Sequence, residues 1–240
     1  ALRPFTHASI RWRKTQLEPG INKLVNKISK ELDSQKDPGW FFDVGANVGL
    51  YIWEVRKVSP HRKILAFEPD PENISLLVKT LNGANFQNVE ICKCALSNRL
   101  SEVSFFQDNL TSATGCVAGK NKPWIEQYLN GSANEIRVKT ETLDSIVRKD
   151  RTPILIKIDV EGHEIEVLQG ARNTLSEAKP LMIIESFPPK QSTVLSLLDE
   201  LGYQSMDADR HASINPKTTN LFAWHPQGPL NKATIQKLIN

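Results

Sequence analysis

The amino-acid sequence predicts an α/β fold with a mostly parallel central sheet. From residue 40 onward, short apolar runs alternate with amphipathic stretches of helical period, and the order strand, helix, strand, helix, strand is typical of parallel sheets with right-handed crossovers. Several apolar runs end in an acidic or small polar residue, as expected where a ligand binds at the carboxyl ends of the strands. The chain has 240 residues, 40% of them hydrophobic, and is long enough for one domain with a substantial core.

The first half of the chain contains three predicted strands separated by two helices, behind a leading helix. Apolar residues at helical spacing predict the leading helix, and the sequence Asp37-Pro38-Gly39 separates it from the first strand. Asp70 and Pro71 predict a helix start, with the acid as N-cap and proline at the first helical position. The predicted segments are a helix over 21–32, a strand over 40–44, a helix from 49 to 59, a strand over 63–68, a helix from 71 to 83 and a strand over 89–96.

The second half interrupts this alternation and then resumes it. Two predicted strands, over 103–106 and 136–140, have no long helix between them and are interpreted as a hairpin-like addition to the sheet. The polar segment 108–135 between them, with a short helical stretch over 124–129, fits a lid or binding loop, and a surface excursion without a role is the alternative. The remaining predicted elements are a central strand over 154–159, a helix over 164–175, a strand over 181–185, a helix over 194–201 and short strands over 205–208 and 220–224.

Residues 1–37 are predicted to form an N-terminal arm and an amphipathic helix, and residues 38–240 one main domain. Four basic residues among the first 14 fit either a weak contact to an anionic partner or a frayed terminus. Acidic and basic totals nearly balance, with a net charge of +3, which gives little reason to expect a nucleic acid partner. The sequence has neither an apolar run long enough for a transmembrane segment nor a signal peptide, so a soluble cytoplasmic protein is the expectation.

The three cysteines indicate neither a disulfide framework nor a zinc site. Cys92, Cys94 and Cys116 are an odd number, and none has Cys-x-x-Cys spacing. We expect the thiols to be reduced, with Cys92 and Cys94 on one face of the third strand.

The stretch from Asp43 to Gly49 predicts a ligand site. It follows an apolar strand and leads into a helix, so the backbone amides of its turn and the positive end of the helix can face a ligand. Its spacing is Gly-x-x-x-Gly, which lacks the third glycine of the dinucleotide-binding turn. Glu68 ends the next strand, at the spacing where an acid binds a ribose diol. A nucleoside that carries a cationic amino-acid group therefore fits better than a dinucleotide.

Three ordered motifs resemble those of the FkbM family of S-adenosylmethionine-dependent methyltransferases. They are Asp43-Val-Gly-Ala-Asn-Val-Gly49, Phe67-Glu-Pro-Asp-Pro71, and Ile156-Lys-Ile-Asp-Val-Glu-Gly-His-Glu164 followed by Val167-Leu-Gln-Gly-Ala171. The resemblance, over residues 40–186, implies a Rossmann-like class I methyltransferase fold, with helices on both faces of a seven-stranded sheet and an antiparallel terminal strand. It also implies S-adenosylmethionine as cofactor, S-adenosylhomocysteine as product, and O-methylation of a hydroxyl on a sugar, glycan, lipid or natural product.

The resemblance further implies where the cofactor binds. Its methionine half is expected against the glycine-rich turn and the acid beneath it, which are Gly45, Asn47, Gly49 and Asp43. The nucleoside is expected at the ends of the next two strands, with Glu68 accepting from both ribose hydroxyls, Pro69 packing on the adenine, and Leu96 and Ser97 bordering the adenine edge. An acid is often expected at this last place, and the pair Ser97-Asn98 supplies none.

Three candidates for the general base follow the predicted central strand: Asp159, Glu161 and His163. Methyl transfer to an alcohol requires removal of the hydroxyl proton by a group that can accept it near working pH. By strand alternation Lys157 shares one side with Asp159 and Glu161, so a lysine–carboxylate pair is expected. Asp159 could instead orient the cofactor's amino group or the substrate, and His163 could simply start the following helix.

Aspartate, glutamate and histidine together also resemble the ligands of a hard metal ion, which can acidify a substrate diol. A divalent metal is possible at Asp159, Glu161 and His163 but is not favoured. Their tight spacing along the chain argues against one ion gathering all three.

Two other functions stay open from the sequence. A binding or regulatory module would keep the fold without catalysis, although three intact motifs argue against it. An NAD-dependent oxidoreductase would be expected to carry the missing third glycine. A small-molecule, glycan or lipid acceptor is the expected partner, and the helix over 21–32 and the segment 108–135 are expected to wall its pocket. Neither segment identifies the acceptor or the oligomeric state.

Overall fold

The computed structural model describes residues 19–107, 115–117 and 134–239. The elements are α1 (Pro19–Ser34), β1 (Trp40–Val44), α2 (Leu50–Val58), β2 (Ile64–Phe67), α3 (Pro71–Gly83), β3 (Val89–Cys92), β4 (Ala95–Leu96), β5 (Ser101–Gln107), β6 (Cys116–Val117), β7 (Asn134–Glu141), α4 (Leu143–Ile146), β8 (Pro153–Ile158), α5 (Glu164–Gln169), α6 (Arg172–Ala178), β9 (Leu181–Glu185), α7 (Gln191–Glu200), β10 (Gln204–Asp207), β11 (Asn220–Trp224) and α8 (Lys232–Ile239). The basic arm, the short helix expected over 124–129 and most of the segment 108–135 lie outside the described residues.

Seven strands form the main sheet in the order β10-β11-β9-β8-β1-β2-β3. The strands from β9 to β3 are parallel, and β11 runs antiparallel to both of its neighbours. All six residues of β8 are buried, as its β-branched run predicted for a central strand. The predicted α/β class, with its parallel sheet and antiparallel terminal strand, is confirmed.

Helices cover both faces of this sheet, because neighbouring residues of each strand point to opposite sides. In β1, Phe41 joins a core cluster with α1, α2, α3 and α8, while Phe42 joins a second cluster with α4, α5, α6 and α7. The apolar stripe of α1 is buried in the first cluster. No helix in the described part of the chain combines the length and the apolar character needed to cross a lipid bilayer.

The two strands expected as a hairpin-like addition pair antiparallel with each other, as β5 and β7, which confirms their pairing. They belong to a second sheet, so the expected attachment to the main sheet was wrong. β5 and β7 pair with the short strands β4 and β6 in the order β4-β7-β5-β6. The strand expected over 89–96 is also divided, because Val89–Cys92 pairs with β2 while Ala95–Leu96 pairs with β7. The chain bends between them, and the bend carries it from one sheet to the other. From the sequence alone, residues 89–96 predict one continuous strand, because both pieces are mostly apolar.

The helix expected over 164–175 is interrupted at Gly170, which ends α5 before α6 begins. A Cβ at Gly170 would lie 1.9 Å from the carbonyl oxygen of Ser97. Glycine is therefore required for the close approach of α5 to the segment that follows β4. The predicted N-cap at Asp70 is confirmed, since its Oδ1 accepts from the amide of Glu72 at 2.7 Å.

Candidate active site

The glycine-rich turn between β1 and α2 has a left-handed backbone at three positions. Gly45, Asn47 and Gly49 have φ values of +83°, +49° and +87°, and α2 starts directly after Gly49. The amides of Gly45 and Ala46 donate to the carbonyl oxygen of Phe67 at 3.1 and 3.0 Å. These bonds fasten the turn to the end of β2.

The same turn touches the end of β8. A Cβ at Gly45 would lie 1.8 Å from the carbonyl oxygen of Asp159, far inside any allowed contact. The amide of Asp159 donates to the carbonyl oxygen of Val44 at 2.9 Å. A residue without a side chain is needed for this approach, so the turn and Asp159 are held in a fixed relation.

Glu68 connects the turn to the end of β2 through its side chain. Its Oε2 accepts from the amide of Asn47 at 2.7 Å, and its Oε1 accepts from the amide of Asp70 at 2.9 Å. Burial raises the pKa of Glu68 to about 7, although these backbone hydrogen bonds act in the opposite direction. Each carboxylate oxygen has a second lone pair, so Glu68 can also accept from ribose hydroxyls.

Asp43 lies beneath the turn and is 1% exposed. Its Oδ2 accepts no hydrogen bond within the described part of the chain. Burial raises the pKa of Asp43 to about 7; the charge of Lys157 lowers it, and the charge of Asp159 adds to the rise. A buried acceptor without a donor is costly. It therefore fits a ligand that brings a cationic donor, such as the α-ammonium of S-adenosylmethionine.

A cluster of charged side chains continues from Asp43 along the same face of the sheet. Lys157 pairs in register with Asp43, is fully buried, and places its Nζ 3.5 Å from Asp159 Oδ2 and 5.1 Å from the centre of the Tyr51 ring. Asp159 also shares a side-chain hydrogen bond with Glu185, at the end of β9. The cluster therefore spans the ends of three adjacent strands.

The carboxyl groups of Asp159 and Glu185, which share a hydrogen bond, differ in their protonation state. Burial alone would raise the pKa of Asp159, but the charge of Lys157 and the hydrogen bonds from Glu185 and Lys157 lower it. Burial, the charge of Asp159 and their shared hydrogen bond raise the pKa of Glu185 to about 10. Near neutral pH, Glu185 is therefore protonated and donates to the ionised Asp159.

Glu161 completes the carboxylate group. Its backbone is left-handed, with a φ of +51°, and the following Gly162 has a φ of +92°. Carboxylate oxygens of Asp159, Glu161 and Glu185 lie within 4.8 Å of one another, a spacing that can hold a divalent cation. His163 is not part of this group. The sequence placed Glu185 at a strand end, but its pairing with Asp159 depends on the neighbouring position of β8 and β9.

His163 lies at the start of α5 and contacts Ser97. The sequence suggested separate roles for these two residues: His163 as a candidate base and Ser97 at the adenine edge. Its Nε2 is 3.0 Å from Ser97 Oγ, and its Nδ1 is 3.4 Å from Glu166 Oε2. Burial lowers the pKa of His163; the charge of Glu166 acts against this, and that of Lys190 adds to it. The imidazole is thus neutral near pH 7, with both nitrogens beside a polar partner.

One cavity gathers most of the residues that the sequence singled out. It is lined by Gly45, Asn47, Glu68, Pro69, Leu96, Asp159, Glu161 and His163. Asp43, Gly49 and Ser97 lie outside this lining. None of the lining residues belongs to α1, which packs in the core, whereas Gly115 and Val117 from the segment 108–135 do line the cavity.

Sequence reasoning missed four residues of the cavity lining, three of them on the far wall, which the second sheet forms. Cys94, Ala95 and Phe105 belong to the second sheet or the bend before it, and Asn73 projects from α3 and hydrogen-bonds Glu68. No local pattern identified these side chains. The position of Cys94, Ala95 and Phe105 depends on the second sheet, which lies across the ends of the main-sheet strands.

The comparison with known proteins agrees with this geometry. Residues 43–205 match the methyltransferase FkbM domain. The chain belongs to the FkbM methyltransferase family. The resemblance predicted from the three motifs is thereby confirmed, and so is the class I methyltransferase fold. The matched region includes the glycine-rich turn, Glu68 and the end of β8, and all three contribute residues to the cavity.

Two named methyltransferases are similar to the chain over most of their length. The chain is 28% identical over 187 residues to "Methyltransferase sdnD" of Sordaria araneosa, covering 67% of this chain and 72% of the relative. It is 27% identical over 198 residues to "Hexuronic acid methyltransferase AglP" of Haloferax volcanii, covering 80% of this chain and 74% of the relative.

Solved structures support the FkbM fold. The methyltransferase FkbM from Methylobacillus flagellatus superposes with a TM-score of 0.54 at 21% identity, covering 78% of this chain and 44% of that one. Monomeric WbdD superposes with a TM-score of 0.51 at 11% identity, covering 93% of this chain and 45% of that one. The chain thus spans less than half the length of either structure, and these likenesses concern the fold alone.

Proposed function

We propose that this FkbM protein transfers a methyl group from S-adenosylmethionine to a hydroxyl oxygen of a sugar or a related alcohol on a glycan, lipid or natural product. The observation that carries the proposal is a cavity in which the glycine-rich turn and Glu68 meet an ionised carboxylate, Asp159. The relative named as a hexuronic acid methyltransferase supports a sugar acceptor.

The residues present fit the cofactor. Gly45 and Asn47, which line the cavity, would hold its methionine half. Asp43 lies beneath the turn and outside the lining, and its Oδ2, unpartnered among the described residues, would attract the ammonium from there. Glu68 would hold the ribose, and Pro69 and Leu96 would border the adenine. Ser97 lies behind this lining and would act through its contact with His163, and Gly49 shapes the end of the turn. When bound, S-adenosylmethionine supplies an electrophilic methyl group on a sulfonium.

Among the three candidate bases, we assign proton acceptance to Asp159. Lys157 keeps its carboxylate ionised, and the protonated Glu185 holds one side of it in place. Because the hydroxyl proton becomes strongly acidic as the oxygen bonds to the methyl group, an ionised carboxylate with a lowered pKa can accept it. Glu161 lies beside it and can hold another hydroxyl of the acceptor. His163 is a weaker candidate, because its two nitrogens already face Ser97 and Glu166. Alignment of the hydroxyl by these groups would supply much of the rate.

The decisive experiment is a product screen. The purified protein is incubated with S-adenosylmethionine whose methyl group carries a tracer amount of tritium and with a panel of uronic acids, neutral glycosides, lipids and aliphatic alcohols. Products are detected by the label and by a mass gain of about 14 Da, one CH₂ per transfer. Asp159→Asn serves as the matched control. Label in a product with the original protein, and its loss in the variant, is the expected result.

The rival function is a binding module that keeps the fold without catalysis. S-adenosylhomocysteine binding without product on any acceptor class would favour this module. Failure to bind S-adenosylhomocysteine would contradict both functions. The division into an arm with helix over 1–37 and a methyltransferase domain over 38–240 also stays a proposal, to be tested by proteolysis and by the folding of residues 38–240 alone.

A further inference from the structure

Two cysteines stand where the chain passes from the main sheet to the second sheet. Cys92 is the last residue of β3, Cys94 directly precedes β4, and only Lys93 separates them. Their Sγ atoms are 3.3 Å apart, and both thiols are free. Nothing in the methyl-transfer chemistry uses this pair.

The pair lies in the connection between the two sheets whose residues form opposite walls of the cofactor cavity. The near wall of the cavity includes Phe67 and Glu68 from the end of β2, and the far wall includes Cys94, Leu96 and Phe105. The short connection between β3 and β4 is therefore one of the links that set the distance between the two walls. A covalent change at Cys94 acts directly on a residue that lines the cavity.

We propose that Cys92 and Cys94 form a redox-active pair, and that its oxidation by a peroxide to a disulfide shifts the far wall and weakens cofactor binding. Residues two apart are at most about 7 Å from Cα to Cα, which overlaps the span of a disulfide. The sulfur atoms, 3.3 Å apart, must approach by about 1.2 Å to form the bond. Because Cys94 lines the cavity, this movement changes its shape.

The two thiols differ in the way such a reaction requires. Cys92 is partly exposed, whereas Cys94 is 4% exposed. The hydrogen bond with Cys94 lowers the pKa of the Cys92 thiol; burial and the charge of Glu141 act against this, and the charge of Arg151 adds to it. The hydrogen bond with Cys92, together with burial, raises the pKa of the Cys94 thiol. Cys92 is therefore the thiolate that attacks, and Cys94 is the resolving thiol.

The atoms and electrons balance in two steps. The Cys92 thiolate attacks one oxygen of hydrogen peroxide, the O–O bond breaks, and the products are a sulfenic acid and hydroxide, which a proton converts to water. The Cys94 sulfur then attacks the Cys92 sulfur, the S–O bond breaks, and the second oxygen leaves as water with the Cys94 proton. Two thiols lose two electrons in total, and one peroxide is reduced to two waters.

The third cysteine is poorly placed to compete. Cys116 belongs to β6, at the opposite edge of the second sheet from β4, with β7 and β5 between them. Cys116 is buried, and burial raises the pKa of its thiol to about 12, which keeps it protonated. Cys116→Ser is thus a matched cysteine control that leaves the pair intact.

The test compares reduced protein with protein treated with hydrogen peroxide. The oxidised protein is expected to be about 2 Da lighter, because two hydrogens are lost, and its digest should contain a disulfide between residues 92 and 94. We further expect affinity for S-adenosylhomocysteine to fall about tenfold, measured by calorimetry, and to return after reduction with dithiothreitol. Amide hydrogen exchange over residues 92–96 should change on oxidation even without the cofactor, which keeps this test separate from the proposed methyl transfer.

Two variants complete the experiment. Cys92→Ser, outside the cavity lining, should bind S-adenosylhomocysteine like the reduced protein and lose the peroxide response, whereas Cys116→Ser should keep it. Either of two results would overturn the proposal: both thiols remain alkylatable after treatment, or the disulfide forms and the affinity for S-adenosylhomocysteine does not change.

Discussion

His163 Nε2 and Ser97 Oγ lie 3.0 Å apart, so the start of α5 is joined to the segment that follows β4. Glu166 lies on the other side of the imidazole, 3.4 Å from Nδ1. This arrangement makes His163 a structural link between two cavity walls. It leaves Asp159, with Lys157 and Glu185 beside it, as the group best placed to accept a proton.

Substitution of the two candidate bases should separate their roles. We expect Asp159→Asn to lower kcat at least about 100-fold, because the amide cannot accept the hydroxyl proton. His163→Gln, which keeps a polar group beside Ser97, should lower kcat less than about tenfold. Initial rates from pH 5.5 to 8.5 provide the measurement. A larger loss in His163→Gln, together with loss of the acidic limb of the wild-type profile, would assign the base to His163 instead.

Removal of Glu68 should abolish cofactor binding. Both of its oxygens accept from backbone amides of the site, so Glu68→Ala loses the ribose acceptor and also loosens Asn47. We expect the affinity for S-adenosylhomocysteine to fall about 100-fold or more, since bonds to a charged group are worth about 1.5–3 kcal/mol each. Calorimetry gives the affinity, and circular dichroism checks that the variant is folded. The exposed Glu72→Gln, four residues away, should bind normally; equal affinity in all three proteins would refute the ribose role.

Gly45→Ala should be destabilising even without cofactor. The new Cβ meets the carbonyl oxygen of Asp159 at 1.8 Å, and the φ of +83° is unfavourable for alanine. We expect the free energy of unfolding to fall by more than about 2 kcal/mol, measured in urea. Gly83→Ala at the end of α3 is the control, because its Cβ meets no atom within 4 Å. That variant should be stabilised by up to about 1 kcal/mol. Similar stabilities for the two variants would contradict the contact.

The stability of the cofactor-free protein should fall as the pH rises. Burial raises the pKa of Asp43 from 3.8, and that of Glu68 from 4.5, to about 7. Between about pH 4 and pH 7 the folded protein therefore binds more protons than the unfolded chain. The stabilisation from these two carboxyl groups is fully present below about pH 4 and is lost as the pH rises through about 7. Each group contributes at most about 1.4 kcal/mol per pH unit. Urea unfolding at pH 5.5, 6.5 and 7.5 provides the measurement, and Asp43→Asn should reduce the slope. An unchanged slope in the variant would exclude Asp43 as a source.

Methyl transfer should persist after removal of divalent metal. The ammonium of Lys157 and the proton on Glu185 already offset the charge of the carboxylate group, so an ion is not needed to assemble it. After dialysis against EDTA, we expect kcat to stay within about twofold of the untreated protein. Loss of activity that magnesium restores would instead make Asp159, Glu161 and Glu185 a metal site.

The local features of the site were predictable from the sequence. The glycine-rich turn and Glu68 follow apolar runs, and adjacent parallel strands bring such positions together at one edge. The central position of β8 followed from its β-branched residues. These inferences succeeded because each depends on a short stretch and on the general order of a parallel sheet.

Features that depend on distant pairing could not be predicted in this way. The division at Cys94 is invisible in an apolar run, because it is β7, more than forty residues later, that pairs with Ala95 and Leu96. The contact between Ser97 and His163 likewise requires α5 to pack on that segment, through Gly170. In both cases the deciding partner lies on another element.

The two sheets contribute separate parts of the chain to the lining of one cavity. Asn47 and Glu68 secure each other within the main sheet, whereas Phe105 and Val117 face them from a second sheet encoded by the contiguous residues 95–141. Exchanging that one contiguous stretch for its counterpart from a relative would renew the far wall while leaving the glycine-rich turn intact. Such an exchange would also replace Leu96, which lines the same cavity, so the far wall could vary between relatives while the turn and Glu68 stay the same.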